Sequence, residues 1–281
     1  MKFLNIKILW FWGGVLLFSA CQPTLMAEFQ DRPVVESYLY AGEPASVTVS
    51  KLLPFRNDVR FSDEEVDELT LTITDETTGN VYPLTPQGAG VYTGHETFLP
   101  EAGHTYRLQF TYDGVPVTAT TQIAALPGNV AFSKTTVTAG FGGGMGGGGD
   151  AGDSMEPLEI TWDNPTGEYY IITATCTESN PTPIFDMDDN DNDDDTAPDF
   201  PLSFQTEPTQ GASAQLSAQS FSYLGKHTVK LCRIQPEYVL LYQRMNSTSA
   251  NLVELHANVE NGFGVFTGVS SESREVNVVS R

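Results

Sequence analysis

The sequence contains few of the residues that carry metal, nucleophile or phosphate chemistry. Its 281 residues include 3 cysteines, 4 histidines and 14 basic side chains, against 36 acidic ones. The formal charge of −22 disfavours nucleic acid as a partner. No His-Glu-x-x-His pair and no Gly-x-Ser-x-Gly elbow occurs in the sequence. The sequence therefore predicts a protein that is not an enzyme.

Long apolar runs are also missing, apart from one near the start. Residues 1–20 carry two lysines before an apolar block and end in a Ser-Ala pair directly ahead of Cys21. This order is typical of a secretory signal, and with the cysteine it resembles the lipobox of bacterial lipoproteins. The alternative is an ordinary signal peptide with an incidental cysteine. We expect Cys21 to be acylated and residues 21–31 to be a tether, with each buried acyl methylene adding about 0.8 kcal/mol of membrane affinity.

Two further cysteines remain in the mature chain. Cys176 and Cys232 form an even pair in an oxidising compartment, which favours a disulfide. The alternative is two buried reduced thiols, because free cysteine is among the most buried residue types.

Short alternating segments separated by turn signals make up most of the chain. In LTLTIT, Leu69, Leu71 and Ile73 alternate with threonines, which is the period of a half-buried strand. The pattern predicts an all-β fold of two consecutive antiparallel β-sandwich domains, of the immunoglobulin or fibronectin-III type. We place the first domain at residues 32–125 and the second at 126–281.

Several local features refine this prediction. QPEYVLLYQRM is expected to form a short helix in the second domain, and DEEVDEL a helical turn in the first. Trp162 is expected in the core of the second domain, and Gly264 indicates a bulge or a close backbone neighbour. The tyrosines fall in β-patterned segments, where packing against a sheet is the default. An exposed aromatic patch for a sugar or a peptide stays open.

Two unusual loops interrupt the second domain, a Gly-rich one at 139–155 and an Asp-rich one at 186–199. The first lacks the lysine and the following helix of a phosphate-binding loop, so it is expected to be a linker. The second alternates Asp with Asn, which are calcium ligands, but it lacks the glycine and the glutamate of an EF-type loop. Weak calcium binding and a solvated acidic loop both stay open, and we expect no other cofactor. The candidate calcium ligands are Asp186, Asp188, Asn190, Asp191 and Asp193.

Three segments resemble a known lipoprotein family. They are RPVVESYLYAGEPASVTVSKLLPF, LCRIQPEYVLLYQRM and LVELHANVENGFGVFTGVSS. With the lipobox, they resemble the Bacteroidota lipoproteins classed as domain of unknown function 4249, over most of residues 32–281. The resemblance implies a non-catalytic outer-membrane lipoprotein that is an accessory or binding partner of a TonB-dependent receptor in nutrient capture. Periplasmic and surface-facing orientations both stay open.

Two other functions stay open: a structural or adhesive cell-envelope lipoprotein, and a hydrolase with a non-local site. A modification is also expected. Asp153-Ser154-Met155 and Asp195-Thr196-Ala197 resemble the O-glycosylation acceptor of Bacteroidota periplasmic proteins. Both lie in the polar loops, where a glycosyltransferase has access. We therefore predict glycosylation at Ser154, Thr196 or both.

Overall fold

The computed structural model describes residues 31–51, 64–139, 156–184, 200–245 and 258–280. The first part of the chain contains β1 Pro33–Tyr40, β2 Ser46–Lys51, α1 Glu64–Asp67, β3 Thr72–Asp75, β4 Val81–Pro83, β5 Thr85–Gly88, β6 Val91–Thr93, β7 Thr105–Tyr112 and β8 Val115–Gln122. The second part contains β9 Gly128–Phe132, β10 Thr136–Ala139, β11 Leu158–Asp163, β12 Tyr169–Cys176, β13 Thr182–Pro183, β14 Ser203–Gln205, β15 Ser213–Leu216, a 3₁₀ turn Ala218–Ser220, β16 Tyr223–Ile234, α2 Pro236–Met245, β17 Val259–Glu260 and β18 Phe263–Ser280. The predicted all-β class is confirmed.

The sequence pattern determines which side of each strand is buried. Leu71 and Ile73 are fully buried in the first core, and Leu69 packs against it, as the alternation predicts. The β7–β8 hairpin turns at Asp113 and Gly114, whose φ angles of 47° and 75° are those of a type I′ turn. Both predicted helical segments form, as α1 and α2.

In the part of the chain that the structure describes, three sheets build two sandwiches. The largest has ten strands, in the order β14-β12-β16-β18-β1-β2-β6-β5, with β10 also paired to β18 and β13 to β16. The five-stranded sheet β17-β8-β7-β3-β4 packs over one end of it and encloses the first core. The three-stranded sheet β15-β11-β9 packs over the other end and encloses the second core, which contains Trp162 as predicted.

The last strand joins the two sandwiches. β18 has 18 residues and pairs with β1 and β10 in parallel and with β16 antiparallel. Its Phe266 lies in the first core, and its Val276 and Val278 lie in the second. The final strand therefore contributes to both sandwiches, although a division between residues 125 and 126 assigns it to the second domain alone. It can do so because 18 extended residues span about 60 Å.

The parallel contact between β1 and β18 depends on a glycine. Gly264 lies opposite Val35 with a φ of +94°, and a Cβ placed on it would lie 2.0 Å from the Val35 carbonyl oxygen. The close backbone neighbour expected from the sequence is therefore Val35.

Among the described residues, no helix is long and apolar enough to cross a membrane.

Candidate functional site

The ten-stranded sheet has one face inside both sandwiches and one face outside them. Along β12, Tyr170, Ile172 and Ala174 lie in the second core, whereas Ile171 belongs to a separate cluster on the opposite side. We call this opposite side the outer face. Its residues follow from the alternation and register of β12, β16, β18 and β1.

Helix α2 covers part of the outer face. Under it lies a small apolar cluster, in which Val239 of the helix meets strand residues. The strand members are Ile171, Cys232, Ile234 and Val269, with Tyr40, Tyr169 and Tyr238 packed against them. The helix begins after Gln235, whose carbonyl accepts hydrogen bonds from the N–H groups of Tyr238 and Val239. Pro236 has no N–H group and occupies the first helical position, where an N–H group would have no acceptor within the helix.

Tyrosines border this cluster, and the hydroxyl groups of Tyr38 and Tyr238 contact Glu36 and Gln205. The rings of Tyr38 and Tyr238 meet edge to face, with centroids 5.8 Å apart. Burial, followed by the charge of Glu36, raises the pKa of Tyr38, and burial raises the pKa of Tyr40 to about 12. These hydroxyls therefore stay protonated at physiological pH and can donate hydrogen bonds.

An open groove lies beside the helix on the same face. Its volume is about 560 Å³, and it is open to solvent along much of its length. The first sandwich contributes Tyr40 and Glu43, and the second contributes all the other lining residues. Those others are Thr173, Thr175, Thr177, Ser203, Phe204, Gln205, Thr228 and Lys230.

The charges in the groove neutralise each other. The Lys230 ammonium lies 2.6 Å from a carboxylate oxygen of Glu43 and 5.5 Å from the centre of the Tyr40 ring. The Gln205 amide donates a hydrogen bond of 2.5 Å to the hydroxyl of Tyr238. Hydroxyl groups make up most of the remaining polar lining, because five of the ten lining residues are threonine or serine. The groove therefore offers many neutral hydrogen-bonding groups in a strongly acidic protein.

The predicted disulfide is contradicted by the structure. Cys176 and Cys232 are both free and buried. They lie on paired strands, but Cys176 is opposite His227 and Cys232 is opposite Ile171, so five strand positions, about 16 Å, separate them. Their side chains also point to opposite faces of the sheet. The alternative of two buried reduced thiols is therefore correct, since a bridge needs Cα atoms within about 7 Å.

The other site residues predicted from the sequence lie outside the described residues. They are Cys21, the calcium candidates Asp186, Asp188, Asn190, Asp191 and Asp193, and the glycosylation candidates Ser154 and Thr196. In the described ranges, no group of three or more His, Cys, Asp or Glu side chains could hold a metal ion.

Each of the described histidines has a hydrogen-bonding partner within the protein. His95 bonds to Thr97, and the buried His227 lies 3.1 Å from the Gly225 carbonyl oxygen. His104 lies 2.9 Å from Asp75 on the five-stranded sheet. Burial alone would raise the pKa of Asp75, but hydrogen bonds from His104 and the nearby turn outweigh it and lower that pKa. This carboxylate holds the turn after β3, since it also accepts the N–H groups of Thr77 and Thr78.

Sequence reasoning did not identify the groove. The alternation of β12 indicates that Thr173 and Thr175 share a face with Ile171. No local signal indicates that Glu43, from a turn of the first sandwich, meets Lys230 of the second, since 187 residues separate the two. Pairing of distant strands brings them together.

Comparisons with known proteins identify a family and distant structural similarities. A family model described as domain of unknown function (DUF4249) matches residues 22–275. The chain is 11% identical to a segment of two fibronectin type-III domains from chicken tenascin, covering 88% of this chain and 99% of that one with a TM-score of 0.23. It is 10% identical to a titin segment, covering 88% of this chain and 66% of that one with a TM-score of 0.21. No curated protein matches the chain.

Proposed function

The chain belongs to the family described as domain of unknown function 4249, and from this premise we propose a function for it. It is a lipid-anchored, non-catalytic protein of the outer membrane, and it is the accessory or binding partner of a TonB-dependent receptor in nutrient capture. Its anchor is the acylated Cys21, and its working surface is the outer face of the ten-stranded sheet.

The position of the family match supports the anchor. The match starts at residue 22, immediately after Cys21. In a lipoprotein this cysteine becomes the first residue of the mature chain, and a match that begins one residue after it is consistent with that processing. The small residues before Cys21 and the apolar block upstream support the same assignment.

The observation that carries the binding role is the outer face itself. A half-buried tyrosine cluster lies next to an open polar groove on this face, and both sandwiches contribute to the groove. Tyrosine is enriched at binding surfaces because it combines a large apolar ring with a hydroxyl group and few rotatable bonds. The same face therefore combines an aromatic patch, suited to a protein partner, with a cavity suited to a small ligand.

The test is recovery of a receptor from the native envelope. The acylated protein, purified in mild detergent, should bring a TonB-dependent receptor with it. The variant Tyr38→Ser should recover less receptor, whereas the control Val81→Ser, at an exposed position of the five-stranded sheet, should recover as much as the unchanged protein. A complex without any receptor would contradict the proposal and favour a structural or adhesive role.

A further inference from the structure

We propose that the groove on the outer face binds a neutral oligosaccharide. This inference deepens the proposed function and depends on it only for the biological role.

Charge disfavours an anionic ligand. The whole chain carries 36 acidic and 14 basic residues, so its field repels anions. Within the groove the one lysine and the one glutamate are already paired at 2.6 Å, so neither is free to neutralise a charged ligand without losing the other. A neutral ligand leaves the pair between Lys230 and Glu43 intact.

The hydrogen-bonding groups match those of a sugar. Thr175 of β12 and Thr228 of β16 lie directly opposite each other on the floor of the groove. Each threonine hydroxyl both donates and accepts, as each sugar hydroxyl does, so the two kinds of group can pair in either direction. The threonine methyl groups and the ring of Tyr40 supply apolar contacts for the C–H faces of sugar rings.

The backbone of the floor disfavours a peptide. β12 and β16 pair with each other along eight positions, so their N–H and C=O groups are used within the sheet. An extended peptide binds best at a sheet edge, where backbone groups are open to it. The floor therefore presents mainly side chains, which suits a ligand recognised through its hydroxyl groups. Among the described strands that line the groove, only β14, which lines one wall, is an edge strand of the sheet.

The experiment uses the full mature protein in mild detergent on a broad array of neutral oligosaccharides, followed by calorimetric titration of the strongest one. The charged control is tetragalacturonate and the peptide control is tetraglycine. The variant Thr175→Val with Thr228→Val removes both hydroxyls and keeps the β-branched shape of each side chain. We expect it to weaken binding at least tenfold with an unchanged unfolding midpoint.

The matched control is Thr74→Val with Thr120→Val. These threonines flank Arg107 on the five-stranded sheet, and the control variant should bind the oligosaccharide as the unchanged protein does. The inference is overturned if no neutral oligosaccharide binds, if tetragalacturonate or tetraglycine binds more tightly, or if the Thr175 and Thr228 variant retains full affinity.

The two proposals fail separately. Oligosaccharide binding without a receptor in the envelope preparation would overturn the receptor partnership and leave the groove assignment intact. Recovery of a receptor by a protein that binds no neutral oligosaccharide would overturn the groove assignment and leave the receptor partnership intact.

Discussion

Replacing Gly264 by alanine should weaken the contact that ties the first strand to the last. Gly264 has a φ of +94°, and an added Cβ would lie 2.0 Å from the carbonyl oxygen of Val35. Because real Cβ atoms essentially never come within 3.0 Å of another heavy atom, β1 and β18 must separate by about 1 Å. The displaced atom is a backbone oxygen, which has no rotamer that would relieve the contact.

The expected cost has two parts. A residue with a Cβ pays about 1–2 kcal/mol in the left-handed region. Overpacking of a tight contact adds about 1–3 kcal/mol. Gly264→Ala should therefore lower the free energy of unfolding by about 2–5 kcal/mol, a large fraction of the about 5–15 kcal/mol typical of folded proteins.

Urea unfolding followed by far-ultraviolet circular dichroism measures this loss. The free energy of unfolding falls by about 3 kcal/mol per M urea in a protein of this size, so the urea concentration at the unfolding midpoint should fall by about 1 M. The control is Gly42→Ala in the turn after β1, where φ is +77° but nothing lies within 4 Å of the added Cβ. It should lose only the backbone part, about 1–2 kcal/mol. The reasoning is refuted if the two variants shift the midpoint equally.

Three further predictions concern single groups. Asp75→Asn should destabilise the chain at neutral pH. Because the folded pKa of Asp75 is lowered, the stability it contributes is present above its ordinary value of 3.8 and is lost as the pH falls through the folded value. Urea midpoints of the variant and the unchanged protein should therefore converge at low pH, and a constant gap down to pH 2 would contradict this. Denatured, unreduced mature protein should show two reactive thiols, Cys176 and Cys232, whereas the native thiols should react slowly because both are buried and burial raises the pKa of Cys232 to about 11. A thiol count of zero in the denatured protein would restore the disulfide. Cys21→Ser should leave the protein outside the membrane fraction after a salt wash, and continued membrane association would exclude the lipid anchor.

Local pattern was sufficient for the parts of the fold that depend on neighbouring residues. The alternation of Leu71 and Ile73 predicts the buried side of β3 because side chains in a strand alternate between its faces. Asp113 and Gly114 predict the hairpin, since both accept positive φ. The helix after Gln235 follows from Pro236 and the loss of strand alternation.

Long-range pairing could not be predicted in the same way. Cys176 and Cys232 fall on adjacent strands as supposed, but the register of those strands, which no local signal specifies, keeps the thiols apart. The course of β18 was missed for a related reason. The closing segment NLVELHANVENGFGVFTGVSSESREVNVV predicts three strands, whereas Phe263–Ser280 forms one continuous strand whose two halves complete two different sandwiches.

The shared strand bears directly on the groove. Tyr40 lies on β1 and Lys230 on β16, and β18 lies between these two strands and is paired to both. Two sandwiches joined only by a linker would be free to reorient, and a groove with walls from both would change shape with each movement. Here a continuous ladder connects the two walls, and the ion pair between Lys230 and Glu43 joins a residue of each sandwich across the groove lining. The spacing of the hydroxyl groups on the floor is therefore set by the sheet before a ligand arrives. Such preorganisation reduces the ordering cost of binding, so more of the interaction energy of the hydroxyl groups and the Tyr40 ring appears as affinity.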